Sequence, residues 1–128
     1  MIRIKYEGKL PSLNKSYKAG KGRFYMADAT KDFKKQIELM TMKHRDKLAD
    51  LEGQLQLTAI EHSVKFFTKK GTISKTKGDI DRFLKPLMDG ICKGLGIDDY
   101  LITKVTAIQI PVKEGEGVVA VLEERLFY

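Results

Sequence analysis

Residues 78–99, GDIDRFLKPLMDGICKGLGIDD, combine apolar residues at helical spacing with an unusually large number of aspartates. The stretch from Asp79 to about Leu95 is predicted to be a helix, ended by Gly94 and Gly96. Regions of β-type sequence lie before and after it. A helix enclosed in this way predicts a fold that mixes helices with a sheet.

The sequence on either side of this helix has the patterns of β-strands. Apolar and charged residues alternate in IRIKYEG, residues 2–8. QLQLTAIEHSVKFF, residues 54–67, reads as a strand whose apolar phase changes near Ala59, which predicts a bulge or bend there. ITKVTAIQIPV (102–112) and GVVAVLEERLF (117–127) flank a turn that contains glycine. These two runs predict an antiparallel hairpin.

A second helix and a long loop complete the predicted order of elements. Apolar residues at three- and four-residue spacing predict a helix capped by Asp28 or Thr30 and running to about Asp50. The segment 9–26, rich in glycine and lysine, predicts a functional loop. The order strand, helix, strand, helix, hairpin predicts one α+β domain over residues 1–128, with a small mixed sheet of about four strands and two main helices.

The distribution of charge indicates an acidic partner. The chain has a net charge of +7, and residues 1–50 hold all of this excess. A second basic cluster lies between Glu61 and Asp79, where five lysines occur without an acidic residue. Such a field attracts polyanions, with nucleic acid the commonest candidate. A solvated lysine-rich surface that keeps the protein soluble is the alternative.

Other sequence features exclude some classes of protein. No apolar run approaches the roughly 20 residues needed to span a bilayer, and the start MIRIKYEGKL carries charges where a signal peptide would be apolar. We therefore expect a cytoplasmic protein without membrane contact. The single cysteine, Cys92, lies in an apolar stretch and is expected to be a small buried hydrophobe.

The aspartates allow two interpretations. Asp81, Lys85 and Asp89 share a helical face at four-residue spacing, which is typical of a surface ion-pair ladder, and an aspartate at the start of a helix is often a cap. Alternatively, an all-carboxylate cluster that includes Asp79 and the Asp98–Asp99 pair provides the hard oxygen ligands that Mg²⁺ prefers. Beside basic segments that hold a polyanion, such a cluster predicts metal-assisted cleavage of phosphodiesters, with Lys85 stabilising the transition state.

Residues 78–99 resemble the central motif of the RusA-type Holliday-junction endodeoxyribonucleases of bacteria and their phages. That motif has D-x-D-N, a lysine three residues on, a further aspartate in the same helix, a glycine-containing turn and a D-D pair. PSLNKSY, residues 11–17, is similar to the proline and asparagine signature near the family's N-terminus. With the predicted hairpin, the resemblance covers nearly the whole chain.

The resemblance implies roles for individual residues. Asp79, Asp81 and Asp99 are expected to be the catalytic carboxylates linked to Mg²⁺, for which Mn²⁺ is a plausible substitute. Lys85 is expected to be the essential lysine, and Asp98 a neighbour that is a further candidate ligand. The resemblance also implies a small mixed α/β fold that works as a homodimer on branched DNA, especially four-way junctions, without an organic cofactor, in a bacterium or encoded by a phage or prophage.

A homodimer of this kind needs an apolar contact between its two copies. The hairpin predicted for residues 102–126 and the segment around Leu87, Met88 and Ile91 are the candidates, because both are rich in apolar residues. We expect the dimer contact to lie in one of these two regions.

Two residues depart from the family pattern. Arg82 stands where the family usually has asparagine, and Pro86 follows the lysine, so the helix is either kinked or begins later.

The residues predicted to contact DNA are all basic: Lys15, Lys18, Lys21, Arg23, Lys69, Lys70, Lys75, Lys77 and Arg82.

Three functions agree with this sequence. The first is a Mg²⁺-dependent endonuclease that resolves junctions in recombination and repair. The second is a nuclease for other branched DNA. The third is a non-catalytic basic DNA-binding module in which the aspartates are only caps and ion pairs. The acidic set distinguishes the third from the others, because carboxylates that face a phosphate weaken simple binding.

Overall fold

The computed structural model describes residues 1–11, 17–20, 23–26, 28–51 and 53–125, with only the backbone described for 17–20, 23–26 and Asp50. Its main elements are β1 (Ile2–Glu7), β2 (Tyr17–Gly20), β3 (Arg23–Met26), α1 (Asp28–Met42), β4 (Leu55–Ser63), α2 (Leu84–Leu95), β5 (Ile102–Pro111) and β6 (Gly117–Glu124). Short 3₁₀ helices cover Arg45–Asp50, Lys75–Lys77 and Asp99–Leu101. The predicted α+β class, with a four-stranded mixed sheet and two main helices, is confirmed. No helix in the described part of the chain is long and apolar enough to cross a membrane.

The four-stranded sheet has the order β1-β6-β4-β5. The strands β5 and β6 are therefore not paired with each other, and the predicted hairpin is wrong. Between them lies β4, parallel to β5 and antiparallel to β6. The glycine-containing connection has only to cross about 10 Å, which is two strand spacings. A turn of this composition can connect two strands that pair directly or two strands that are separated by a third. The sequence pattern therefore did not distinguish these two arrangements.

The central strand β4 keeps one phase along its whole length, so the predicted phase change near Ala59 is wrong. Leu55, Leu57 and Ala59 are buried, and the same face continues with buried Glu61 and Ser63. The single irregularity in its pairing with β5 lies at the start of β4. The sequence pattern misled because Glu61 is a charged residue on the buried face, where only a specific partner can compensate its burial.

The helices α1 and α2 pack closely against each other. A Cβ added to Gly90 would lie 2.8 Å from Cβ of Ile37, and one added to Gly94 would lie 2.7 Å from the backbone oxygen of Glu38. Of the two glycines predicted to end the helix, Gly94 lies within α2 and only Gly96, at φ 71°, ends it. The pairing of small residues on α2 with bulky ones on α1 fixes α2 against the rest of the domain.

Both helices are shorter than predicted. The regular helix α1 ends at Met42, and the chain continues to Asp50 as a turn and a 3₁₀ helix. The helix α2 begins at Leu84, so Asp79 and Asp81 precede it. Pro86 then lies in the first turn, where a backbone N–H has no partner within the helix, and the later start explains how proline is accommodated.

The apolar residues of α2 that were candidates for a dimer contact belong to the core. Leu87 is fully buried and Ile91 is nearly so, together with Phe33 and Ile37 of α1. Cys92 is also buried, as expected. The core of the described chain therefore uses this face of α2 itself.

The predicted loop 9–26 contains secondary structure. Strands β2 and β3 pair antiparallel within it, from Tyr17 opposite Met26 to Gly20 opposite Arg23. The side chains of Lys18 and Arg23, and the whole of Lys15 and Lys21, lie outside the described residues. Their predicted contacts with DNA stay predictions.

Candidate functional site

The turn at residues 78–83 holds two of the predicted site residues in solvent. Asp79 and Asp81 are both exposed. Their backbone oxygens accept hydrogen bonds from the N–H groups of Arg82 at 3.3 Å and Leu84 at 3.2 Å. Gly78 opens the turn at φ 80°, and a Cβ there would lie 2.6 Å from Nε of Arg82. Glycine is required at this position both by the backbone conformation and by the close approach of the arginine.

The side chain of Arg82 turns inward and pairs with Glu61 of β4. Its Nη1 donates to Oε1 of Glu61 at 2.8 Å, and its Nη2 donates to the other carboxylate oxygen. Only 14% of the Arg82 side chain and 3% of the Glu61 side chain are exposed. Nη1 also donates to the backbone oxygen of Asp79 at 2.9 Å. The bidentate pair therefore attaches the turn to the sheet.

Gln109 of β5 extends this pair into a network. Its Nε2 donates to Oε1 of Glu61 at 2.8 Å and to the backbone oxygen of Gly78 at 3.3 Å. Nζ of Lys77 donates to Oε1 of Gln109 at 2.6 Å and to the same Gly78 oxygen at 3.2 Å. We call Glu61, which is buried, and Arg82, Gln109 and Lys77, which are half-buried, the buried network. Among the described residues, no buried side-chain nitrogen or oxygen lacks a hydrogen-bond partner.

The buried network was not found from the sequence. The sequence did contain a signal for it. Glu61 continues the two-residue alternation of Leu57 and Ala59, so its side chain points to the interior. Arg82 was expected to contact DNA, but its guanidinium is directed at Glu61. The role of Arg82 in binding DNA stays a prediction, while its structural role is defined by these contacts.

Lys85, in the first turn of α2, lies between two aspartates that are far apart in sequence. Its Nζ is 3.0 Å from Oδ1 of Asp89 and 3.3 Å from Oδ2 of Asp99. Hydrogen bonding to Asp89 and the charge of Asp89, followed by the bond to Asp99, raise the pKa of Lys85 above its usual value. Asp89 is also 3.6 Å from Nζ of Lys34 on α1. We call Lys85, Asp89 and Asp99 the exposed cluster.

The exposed cluster contains two of the predicted site residues, Lys85 and Asp99, but neither Asp79 nor Asp81. Lys85 follows Asp81 by four residues, and its contact with Asp99 brings the segment after α2 back to the first half of that helix. Asp98 is exposed beside Asp99. In the described part of the chain, no three His, Cys, Asp or Glu side chains form a group that could hold a metal ion. The joint role of Asp79, Asp81 and Asp99 as ligands therefore stays a prediction.

Cys92 lies close enough to the exposed cluster to sense its charge. Burial raises the pKa of the Cys92 thiol to about 11, and the negative charges of Asp99 and Asp89 add to the effect. The thiol therefore stays protonated at neutral pH and is a poor nucleophile.

Comparison with known families tests the alternatives left open by the sequence. The family model described as Endodeoxyribonuclease RusA matches residues 7–122 of the 128-residue chain. The chain belongs to the RusA family. No curated protein matches the chain at the significance that we required.

Membership of the RusA family makes this chain an endodeoxyribonuclease, a hydrolase that acts on DNA junctions. The matched region begins in β1 and ends in β6, so it includes the turn with Asp79 and Asp81 as well as Lys85 and Asp99. The interpretation as a non-catalytic module is thereby excluded. RusA nucleases depend in general on a divalent metal.

The basic residues predicted to bind DNA have different surroundings in this RusA-family protein. Lys69, Lys70 and Lys75 are exposed, whereas Lys77 is half-buried and belongs to the buried network. A cleft of about 510 Å³ lies beside that network, and its lining includes Lys9, Lys65 and Lys77. We call Lys65, Lys69, Lys70, Lys75 and Lys77 the basic surface. Of these, Lys65 and Lys77 line the cleft together with Gly78 and Arg82 of the turn that carries Asp79 and Asp81.

Proposed function

We propose that this enzyme resolves four-way (Holliday) junctions by Mg²⁺-dependent hydrolysis of phosphodiester bonds, in recombination and repair. The observation that carries the proposal is the contact of Lys85 with Asp99, since Lys85 lies four residues beyond Asp81. The contact brings the Asp98–Asp99 stretch to the first half of the helix that directly follows Asp79 and Asp81. The exposed carboxylates beside a basic surface are then the place where a phosphate can approach.

The donor set of Asp79, Asp81 and Asp99 fits a divalent cation by its chemistry. All three are exposed carboxylates, so they can bind a hard cation with several of its waters retained. When bound there, Mg²⁺ supplies polarisation of the phosphate and a lowered pKa of the attacking water. Asp98 is a further candidate ligand beside Asp99. Mn²⁺ is expected to substitute, because it prefers the same oxygen ligands.

Lys85 supplies a positive charge that does not depend on the metal. Its ammonium is protonated throughout the neutral range, because the usual pKa of lysine already lies above that range and Asp89 and Asp99 raise it further. It can therefore offset negative charge on the phosphate oxygens as the P–O bond to the leaving oxygen breaks. The attacking water forms the new P–O bond and releases a proton to solvent, and the leaving oxygen takes up a proton from solvent once its P–O bond has broken. When a phosphate displaces Asp99 from Lys85, the carboxylate becomes available as a ligand.

A homodimer is the assembly that this reaction needs. Resolution requires two symmetric cuts, and two-fold symmetry provides a second site without additional sequence. The edge strand β5 is the candidate contact within the predicted region 102–126, because Val105 and Ile108 on it are 39% and 41% exposed. Among the residues that the structure describes, no strand pairs with the outer edge of β5. Such an edge with apolar side chains is a surface that a second copy can cover.

The decisive experiment uses an end-labelled four-way junction with and without Mg²⁺, followed by analysis of the cut strands. We expect paired cuts in strands of like polarity in Mg²⁺ or Mn²⁺ and none in EDTA. A flap substrate and a linear duplex of the same arms are the controls. Sedimentation equilibrium near micromolar concentration tests the dimer. Equal cleavage of flap and junction, or a persistent monomer on the junction, would favour a nuclease for other branched DNA.

The location of the enzyme follows from its substrate. We place it in the cytoplasm of a bacterium, where replicating and recombining DNA is found, with a phage or prophage as a possible source of the gene. Fractionation of cells that produce the protein at its native level tests this location.

A further inference from the structure

Residues 66–74, between β4 and the 3₁₀ helix Lys75–Lys77, form a small projecting ribbon that we call the finger. Phe67 and Ile73 form a β-bridge. Thr68 donates its N–H to the oxygen of Thr72 at 2.8 Å, and Ser74 donates to that of Phe66 at 2.8 Å. The finger therefore has a defined conformation with its own hydrogen bonds.

The finger exposes two large apolar side chains at directly paired positions. Phe67 is 53% exposed and Ile73 is 64% exposed. The ring of Phe67 contacts Phe66 edge to face, with centroids 4.8 Å apart. Single exposed hydrophobic residues are ordinary. A bridged pair, one member aromatic, on a ribbon that lies outside the core offers a flat apolar surface for a partner.

The charge around this surface identifies the partner as nucleic acid. Residues 62–78 contain five lysines, Lys65, Lys69, Lys70, Lys75 and Lys77, and no aspartate or glutamate. Lys69 and Lys70 are exposed at the tip of the finger. A second copy of this chain would bring like charges together at the same surface. Aromatic side chains among cations are typical of surfaces on which bases stack while the lysines hold the phosphates.

The base of the finger is attached to the turn that carries the catalytic candidates. Ser74 and Thr76 share a hydrogen bond of 2.7 Å between their hydroxyls, and Lys77 enters the buried network through Gln109. Asp79 follows Ser74 by only five positions. A base held on the finger is thereby fixed in position relative to the exposed carboxylates.

We propose that the finger recognises the branch point of the junction, with Phe67 and Ile73 stacking on a base exposed there and Lys69 and Lys70 contacting the adjacent phosphates. The finger thus supplies selectivity for branched over linear DNA. This role rests on the proposed junction-resolving function, and it adds to it a site for an unstacked base that the carboxylates do not provide.

The test is a comparison of Phe67→Ala with wild type in EDTA, so that binding is measured without cleavage. Fluorescence anisotropy gives the affinity for a four-way junction and for a duplex of the same arms. Loss of one stacked base is expected to weaken junction binding roughly 5- to 150-fold, while duplex binding changes less than about twofold. Phe67→Trp should retain the selectivity. Leu39→Ala, which removes an equally exposed side chain on α1 (50% exposed), is the matched control.

A base analogue provides a second measurement. With 2-aminopurine at the branch point, wild type is expected to change its fluorescence and Phe67→Ala is not. Unchanged junction selectivity in Phe67→Ala would overturn the role of the finger and leave the proposed function standing. The same holds if Phe67→Ala loses the dimer in sedimentation but retains its selectivity. Wild-type protein that fails to prefer junction over duplex, and to cut it in Mg²⁺, would instead overturn the proposed function.

Discussion

The Glu61–Arg82 pair and the ion pairs of Lys85 use the same chemistry in opposite surroundings. The side chains of Glu61 and Arg82 are 3% and 14% exposed, whereas those of Lys85 and Asp99 are 57% and 51% exposed. The buried pair cannot exchange its partners without leaving charges uncompensated. The exposed pair can do so at little cost, because water screens both states. Burial therefore separates a structural pair from one that can admit a phosphate or a metal.

The two regions meet at the turn 78–83. Arg82 holds the backbone of Asp79 from within, through its bond to the oxygen of that residue. The carboxylates of Asp79 and Asp81 remain outside, in solvent. A fixed backbone with free side chains is a favourable starting arrangement for binding a metal, since less order has to be gained on binding. Mutations of the carboxylates can leave the buried network intact, whereas loss of the network also releases the turn.

The largest effect is expected at the exposed carboxylates. We expect Asp79→Asn, Asp81→Asn and Asp99→Asn each to reduce junction cleavage in Mg²⁺ by at least about 100-fold, the scale for loss of a group that stabilises the transition state. Thermal stability should stay near wild type, and binding of the junction should be retained or tightened. Single-turnover cleavage and anisotropy measure both. Asp46→Asn, at another exposed position, is the control, and full cleavage by a variant would remove that residue from the site.

The next effect concerns the buried network. Glu61→Gln leaves the guanidinium of Arg82 without its charge partner, so we expect about 3 to 5 kcal/mol less free energy of unfolding. Urea denaturation measures it. The double variant Glu61→Gln/Arg82→Met removes both charges and should recover part of the loss. If Glu61→Gln were as stable as wild type, the pair would not anchor the turn.

Replacement of Lys85 should separate stability from activity. Because its ion pairs are exposed, we expect Lys85→Met to change the free energy of unfolding by less than about 1 kcal/mol. Cleavage should nevertheless fall, on the order of 100-fold. A variant that loses stability and keeps its cleavage rate would make Lys85 a structural residue.

The pH dependence of cleavage gives a further test of Lys85. The pKa of Lys85 is raised in the folded protein, so its contribution to stability is present at lower pH and is lost only as pH rises through that pKa, above 10.5. The pH profile of cleavage between pH 6 and 9 should therefore contain no step caused by titration of Lys85. Wild type and Lys85→Met should give profiles of the same shape in this range.

The sequence predicted the type and rough order of the elements better than the pairing of the strands and the buried network. The strand β1 followed from the alternation of apolar and charged residues and the helix α1 from its three- and four-residue spacing, and the family motif singled out Asp79, Lys85 and Asp99. The position of β4 between β5 and β6 did not follow, because adjacency in sequence favours a hairpin and pairing between distant strands leaves no local sign. Glu61 was missed since a charged residue is expected outside, and its partner Arg82 lies 21 positions away.

The smallest effect is expected from the lysines of the basic surface. Removal of one lysine that binds a phosphate should reduce the slope of log affinity against log salt by about 0.9 for duplex DNA. Lys69→Ala/Lys70→Ala should therefore reduce it by up to about 2, and the further replacement of Lys75 by about 1 more. Lys77→Ala is expected to act mainly on stability, because Lys77 bonds to Gln109. An unchanged slope would assign these lysines to plain solvation.

The central claim is that the exposed carboxylates bind the metal while the buried network only holds the turn. Titration with Mn²⁺, followed by electron paramagnetic resonance of the protein in complex with an uncleaved junction, tests it without relying on activity. We predict that Asp79→Asn, Asp81→Asn and Asp99→Asn each weaken Mn²⁺ binding at least about 10-fold, the lower bound expected when a charged ligand is removed. The folded fraction of Glu61→Gln, which loses the anchor of the turn but no ligand, should bind the ion more tightly than any of the three aspartate variants. Wild-type affinity in all three aspartate variants would contradict the account.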